Sequence, residues 1–172
     1  MTVIVISGVE KAGKTTLCKE LVWQVEQAGL QADYQHFSGH QPFTGIHGHL
    51  LKAHDHNQLV SIIDRSWACA AVYQSLGFEQ KKWAIGAHDY GRSAERAIGN
   101  YVRATGATII LLGPDAGYLQ SLRTEDDLPV SAQAERQAYL RYGQEHGWRC
   151  IENEHVPGAT ESLAAEILRG AI

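Results

Sequence analysis

A layered α/β fold, a three-layer sandwich with a five-stranded parallel sheet flanked by helices, is what this sequence predicts. Three observations carry that expectation. Val3 to Ile6 is a continuous β-branched run, which suits a parallel strand buried on both faces. Leu17, Leu21, Val22 and Val25 recur at helical spacing soon after it. Strand-like and helix-like stretches then alternate along the rest of the chain, the pattern of a parallel sheet covered on both sides.

In order, the first strand ends in a glycine-rich turn. A helix follows from Thr15 to about Ala28, where Gly29 is a natural stop. Ala32 to Phe37, Leu59 to Ile63, Ala107 to Leu112 and Trp148 to Ile151 read as the second to fifth strands. Helices are expected at about Trp67 to Leu76, Ser93 to Thr105, Ser131 to Glu145 and Thr160 to Leu168. No repeat, low-complexity segment or linker interrupts the chain, so residues 1–172 read as one domain, with ligands expected at the carboxyl ends of the strands.

Composition narrows the function classes. Apolar residues make up 44% and charged ones 20%, a globular balance, and a net charge of −4 gives no field that would gather nucleic acid or anionic membrane. Cys18, Cys69 and Cys150 are far apart and in no metal-type spacing, which argues against a disulfide framework or zinc site. The apolar run of MTVIVISG is too short to span a bilayer and lacks signal-peptide features. A cytoplasmic protein with no membrane partner is expected.

The chemistry starts at the first turn. Gly8-Val9-Glu10-Lys11-Ala12-Gly13-Lys14-Thr15 fits G-x-x-x-x-G-K-[ST], the P-loop or Walker A pattern, between a strand and a helix. Gly8 and Gly13 let the backbone curl so that successive N–H groups, from Glu10 through Lys11, Ala12 and onward to Thr16, can line an anion nest at a helix start. Lys14 can reach the β- and γ-phosphates of ATP, and the Thr15 hydroxyl can ligate Mg²⁺. A second constellation, Asp64-Arg65-Ser66, closes the third strand. An aspartate there sits where Mg²⁺-bound water or an acceptor would lie, and Arg65 can fork onto phosphate oxygens. A helix-capping aspartate beside a surface arginine is the plainer reading.

ISGVEKAGKTT, with Glu10 inside the loop, and DRSWACAAVYQ, residues 64 to 74, resemble the thymidylate kinase family of P-loop nucleoside monophosphate kinases. The resemblance implies a P-loop kinase fold and transfer of the ATP γ-phosphate to a (deoxy)nucleoside monophosphate. It places Glu10 near the acceptor sugar, Asp64 near Mg²⁺, Arg65 on the acceptor phosphate, and Tyr73 and Gln74 near sugar or base. Lys11 stands where some members carry arginine and would supply transition-state charge. Arg123 falls in a segment, about residues 120–132, where such kinases have an arginine-bearing lid. Tyr73 and Gln74 fit equally the inner and outer faces of a packed helix, and Arg123 an ion pair with neighbouring acids.

Departures from the family bear on the acceptor. After the second strand stands His36-Phe37-Ser38-Gly39-His40-Gln41-Pro42, without the usual arginine; Arg92 and Arg96, on a later stretch, could substitute, though nothing in the sequence requires it. A hydroxyl acceptor would need a proton acceptor such as His36 or Asp64, and a deoxynucleoside, or a hydroxymethyl-pyrimidine free or in DNA, is the alternative to a monophosphate. Six histidines, His36, His40, His47, His49, His54 and His56, crowd one segment without cysteine partners or a third ligand, and read as a polar cleft or surface rather than a metal site. A P-loop ATPase or switch is a further alternative, against which stand the missing Asn-Lys-x-Asp run and the lack of paired acids at the third strand. The apolar faces around Trp67 to Leu76 suit a core or a homodimer equally.

Overall fold

The computed structural model describes residues 2–37, 59–77, 102, 104, 106–125, 127 and 129–171. Five strands form one parallel sheet: β1 (Thr2–Gly8), β2 (Gln31–His36), β3 (Leu59–Asp64), β4 (Gly106–Leu111) and β5 (Arg149–Ile151), in the order β2-β3-β1-β4-β5. The described helices are α1 (Lys14–Gln27), α2 (Trp67–Ser75), α3 (Ala116–Ser121), α4 (Ala132–His146) and α5 (Ala159–Ala171). On one face α1 packs against α5; on the other α4 packs against α2 and α3. The three-layer α/β arrangement expected from the sequence is therefore present.

Burial follows strand position. The β-branched runs of β1 and β3 sit in the middle of the sheet and are buried from Val3 and Leu59 onward, whereas edge strand β2 is only partly covered. Fully burying each Ile or Leu side chain of this core contributes about 1.5–3 kcal/mol relative to leaving it exposed. Trp67 of α2 meets Trp148 edge to face at 5.8 Å, closing the core beneath α4. Gly106 opens β4 because a Cβ there would fall 1.8 Å from the Val3 carbonyl oxygen, so only glycine allows the β1–β4 approach.

The strand and helix expectations match within a few residues at their ends. Helix α3 was not foreseen: it starts where Asp115 accepts the Tyr118 N–H at 2.8 Å, an N-cap just before the expected lid segment. Most of the helix expected at Ser93 to Thr105 lies outside the described residues, as do Arg92, Arg96 and every histidine of the rich segment except His36. Among the described residues no helix is long and apolar enough to cross a membrane.

Candidate active site

The site lies at the carboxyl ends of β1, β3 and β5. At the end of β1, Gly8 has φ 140°, and a Cβ on it would lie 2.0 Å from the Leu111 carbonyl oxygen, so the turn must leave the sheet through glycine. Val9 N–H donates to that same oxygen at 3.0 Å, which pins the loop to β4. Gly13, left-handed at φ 87°, starts α1, and no side chain caps the helix. The first-turn amides of α1 are thus left without a side-chain cap, the arrangement an anion nest at a helix start needs.

Lys14 is buried, its Nζ donating to the Val9 carbonyl at 2.7 Å. Burial lowers its pKa, and the nearby Arg65 charge lowers it further, against the pull of Cys69, Glu135 and Asp64.

Parallel pairing sets Asp64, the last residue of β3, beside Ile6 of β1 and His36 of β2. The carboxylate is fully buried and its Oδ2 is shared by three donors. Thr15 Oγ1 lies at 2.7 Å, Tyr34 OH at 3.1 Å and His36 Nδ1 at 2.8 Å. Burial, then the Asp64 charge and hydrogen bond, push the Tyr34 phenol far above its ordinary value. Asp64 Oδ1 is buried with no hydrogen-bond partner. An unpartnered carboxylate oxygen beside a threonine hydroxyl is the oxygen donor set that a small hard cation takes, so these residues fit Mg²⁺. Among the described residues there is no cluster of three or more His, Cys, Asp or Glu that could hold a metal. A cation here would therefore complete its shell with water and phosphate.

Arg65 follows in a left-handed turn at φ 71°, its N–H donating to the Ile6 carbonyl at 2.8 Å. Ser66 then caps α2, accepting from Ala68 N–H at 3.2 Å, and shares a 2.7 Å hydrogen bond with Ser7 of β1. The Asp-Arg-Ser turn is thereby fastened to the loop strand. On α2, Tyr73 is buried, packed edge to face on Tyr139 at 6.5 Å, while Gln74 is exposed.

The remaining candidates meet α4 and the segment just before it rather than the Asp64 cluster. Glu10 N–H donates to Glu135 Oε1 at 3.1 Å. Arg123 is 4% exposed and turned inward: it pairs with Glu135 Oε2 and donates to the Val130 carbonyl. Lys11, left-handed at φ 64°, pairs with Asp127 at 3.2 Å. Two links, Glu10 through Glu135 to Arg123 and Lys11 to Asp127, therefore tie the β1–α1 loop to the segment expected as a lid.

Sequence reasoning did not single out Glu135, Tyr34, Asp127, Asn153 or His155. Asn153 is buried after β5 and donates to the Ala12 carbonyl at 3.0 Å, bracing the loop from the other side. His155 stands edge to face against Tyr118 at 5.6 Å. Both adjoin Gly13, where a Cβ would come within 2.7 Å of Asn153 Nδ2 and 3.3 Å of His155 Nε2. A cleft of about 900 Å³ opens here, lined by Thr15, Thr16, Trp23, Asn153, His155 and Pro157 among others. Glu135 did leave a signal, being a carboxylate in the buried stripe Ala132, Tyr139 and Tyr142 of α4.

No protein-family model matches the chain, and no curated protein matches it in sequence. Among solved structures it is similar to the YorR protein of Bacillus subtilis, determined in complex with phosphorylated GDP. The TM-score is 0.62 at 16% identity, over 98% of this chain and 94% of that one. The likeness covers nearly the whole of both chains and establishes a shared α/β fold.

Proposed function

We propose that the chain is a Mg²⁺-dependent phosphotransferase that moves the γ-phosphate of ATP to a thymidylate-like (deoxy)nucleoside monophosphate. The observation that carries this reading is the uncapped start of α1 at left-handed Gly13, with buried Lys14 inside the loop and Thr15 on Asp64. That YorR, of similar fold, was determined with a guanine nucleotide supports it.

In this reading the loop amides other than that of Glu10, which Glu135 holds, and the α1 N-terminus take the donor phosphates, and Lys14 exchanges the Val9 carbonyl for phosphate oxygens. Thr15 and Asp64 would hold Mg²⁺, which would supply positive charge beside the transferred phosphoryl group. Arg65 grips the acceptor phosphate, with Arg92 standing in for the family's missing phosphate-gripping arginine, and Glu10, Tyr73 and Gln74 serve acceptor sugar and base. The cleft along Thr16, Trp23 and His155 receives the donor nucleoside. A monophosphate attacks through an oxygen already anionic, so positioning and charge neutralisation suffice.

One contact favours a second reading, a hydroxyl acceptor. His36 Nδ1 lies 2.8 Å from buried Asp64, which holds the ring so that Nε2 can take a proton from a deoxynucleoside or hydroxymethyl-pyrimidine, free or in DNA. The deciding experiment supplies γ-labelled ATP or GTP with Mg²⁺ to nucleoside monophosphates, nucleosides and hydroxymethyl-bearing nucleotides and DNA. A labelled diphosphate supports the first reading and a labelled monoester the second. Release of inorganic phosphate alone overturns both in favour of an ATPase or switch.

A further inference from the structure

We propose that Glu135 is a positioning residue of the phosphate loop, fixing the Val9–Glu10 peptide whose carbonyl parks Lys14; the inference rests on the phosphate-binding reading above. No cis peptide bond occurs among the described residues, so the C=O and N–H of that unit point in opposite directions. Its N–H meets Glu135 Oε1 at 3.1 Å. Its carbonyl takes Lys14 Nζ at 2.7 Å and Ala12 N–H at 3.2 Å. One peptide plane is therefore clamped between a carboxylate on α4 and the ammonium that would hold phosphate.

The second carboxylate oxygen binds Arg123, which in turn holds the Val130 carbonyl just before α4. Glu135 is 0% exposed, on a helix stripe whose neighbours Ala132 and Tyr139 are also buried. A buried carboxylate costs several kcal/mol unless it is paired and hydrogen-bonded, and packing alone would be served better by an apolar residue. What the carboxylate adds is a two-point fastening: one oxygen holds the loop, 125 positions away in sequence, and the other holds Arg123 of the segment expected as a lid. A fixed loop peptide keeps the amides and Lys14 in register for phosphates. It does nothing for base or sugar, so the phosphate share of nucleotide affinity is what depends on Glu135.

The test compares E135Q/R123M with E135M/R123M. Both remove the two charges together and keep side-chain volume, but only the first leaves an acceptor for the Glu10 N–H. Circular dichroism and thermal unfolding establish that each is folded, and calorimetry measures ATP and adenosine binding. E135M/R123M should bind ATP about 10-fold more weakly than E135Q/R123M, with equal adenosine affinity. ATP affinities within twofold of each other, or an equal loss for adenosine, would overturn the proposal.

Hydrogen exchange on the wild-type protein provides a reading independent of any variant. The Glu10 amide should be protected with and without ATP, and rapid exchange in the free protein would likewise overturn the inference. Wild-type protein that binds ATP no more tightly than adenosine would remove the phosphate-loop reading itself, and the inference with it.

Discussion

Replacing Lys14 by methionine separates the cost of the site to the fold from its use. The lysine is 6% exposed, and its ammonium makes a 2.7 Å hydrogen bond to the Val9 carbonyl. Losing that charge-assisted bond costs about 1.5–3 kcal/mol. Removing a desolvated ammonium returns an amount of similar size, and methionine fills nearly the same volume. The net change should lie within about 1 kcal/mol of zero, or about 2–4 °C in Tm for a domain of this size. Ligand response should differ far more. ATP at 100 times its Kd stabilises the wild type by about 2.7 kcal/mol, a rise of about 5–11 °C. Loss of one charge-assisted phosphate contact weakens binding ~100-fold, which leaves about 0.4 kcal/mol and less than about 2 °C at the same concentration. Thermal unfolding with and without Mg-ATP, alongside labelled phosphoryl transfer, gives both readings. A variant that keeps the wild-type ATP shift, or full transfer, would refute the P-loop assignment.

Arg65→Ala should raise the acceptor KM by ~10-fold or more with ATP affinity unchanged; steady-state kinetics varying each substrate checks this, and a change confined to ATP would contradict the acceptor role. Asn153→Ala leaves the Ala12 carbonyl without its donor and should cost about 1–3 kcal/mol in urea unfolding. Gly106→Ala forces a Cβ to 1.8 Å from the Val3 carbonyl, and the expected loss exceeds about 3 kcal/mol, visible as unfolding or insolubility at 37 °C. For Asp127, slight burial opposes ionisation, but the Thr124 N–H, Lys11 and the Thr124 hydroxyl hold its carboxyl below the ordinary value. A folded pKa lowered in this way gives stability that is present above the unfolded aspartate value of about 3.9 and lost as pH falls through the lowered one. The advantage of wild type over Asp127→Asn, at most about 1 kcal/mol for a pair whose lysine reaches solvent, should therefore vanish in acid and shrink in salt.

The fold was legible where local chemistry decides. The β-branched run of β1, the helical spacing of Leu17 and Leu21, and the stop at Gly29 each act within a few residues. So does the Gly13-Lys14-Thr15 signature, and α1 begins at Lys14 in the structure. The Asp115 cap belongs to the same class; it was readable but overlooked beside the expected lid.

What could not be read is what register brings together. His36 reaches Asp64 only because β2 lies parallel to β3 with those two residues paired, 28 positions apart. Glu10 meets Glu135 across 125 positions and Asn153 meets Ala12 across 141. No periodicity encodes such pairs; they follow from sheet order and helix placement. Arg123 shows the same limit. Its charge invited a role toward phosphate, while the structure turns it onto a carboxylate that only tertiary packing places within reach.

The backbone argues for the same face of the molecule independently of any side chain. Among the described residues, three other than glycine adopt positive φ: Lys11, Arg65 and His155, at 64°, 71° and 49°. Left-handed backbone costs a residue with a Cβ roughly 1–2 kcal/mol. All three lie just beyond the carboxyl ends of strands, after β1, β3 and β5, around the cleft and the Asp64 cluster. Side-chain electrostatics are unbalanced at the same place. Burial lowers the Lys14 pKa and raises that of Glu135, so each charge is disfavoured, and Asp64 Oδ1 lacks a partner. A folded chain carries such costs where something outside the chain relieves them, and strain of this kind runs from the observed outliers to a hypothesis of use. Phosphate oxygens would stabilise the Lys14 charge, and a cation would satisfy the idle carboxylate oxygen. The apolar strands beneath, buried on both faces, supply the stability that holds the loops in these conformations until a ligand arrives.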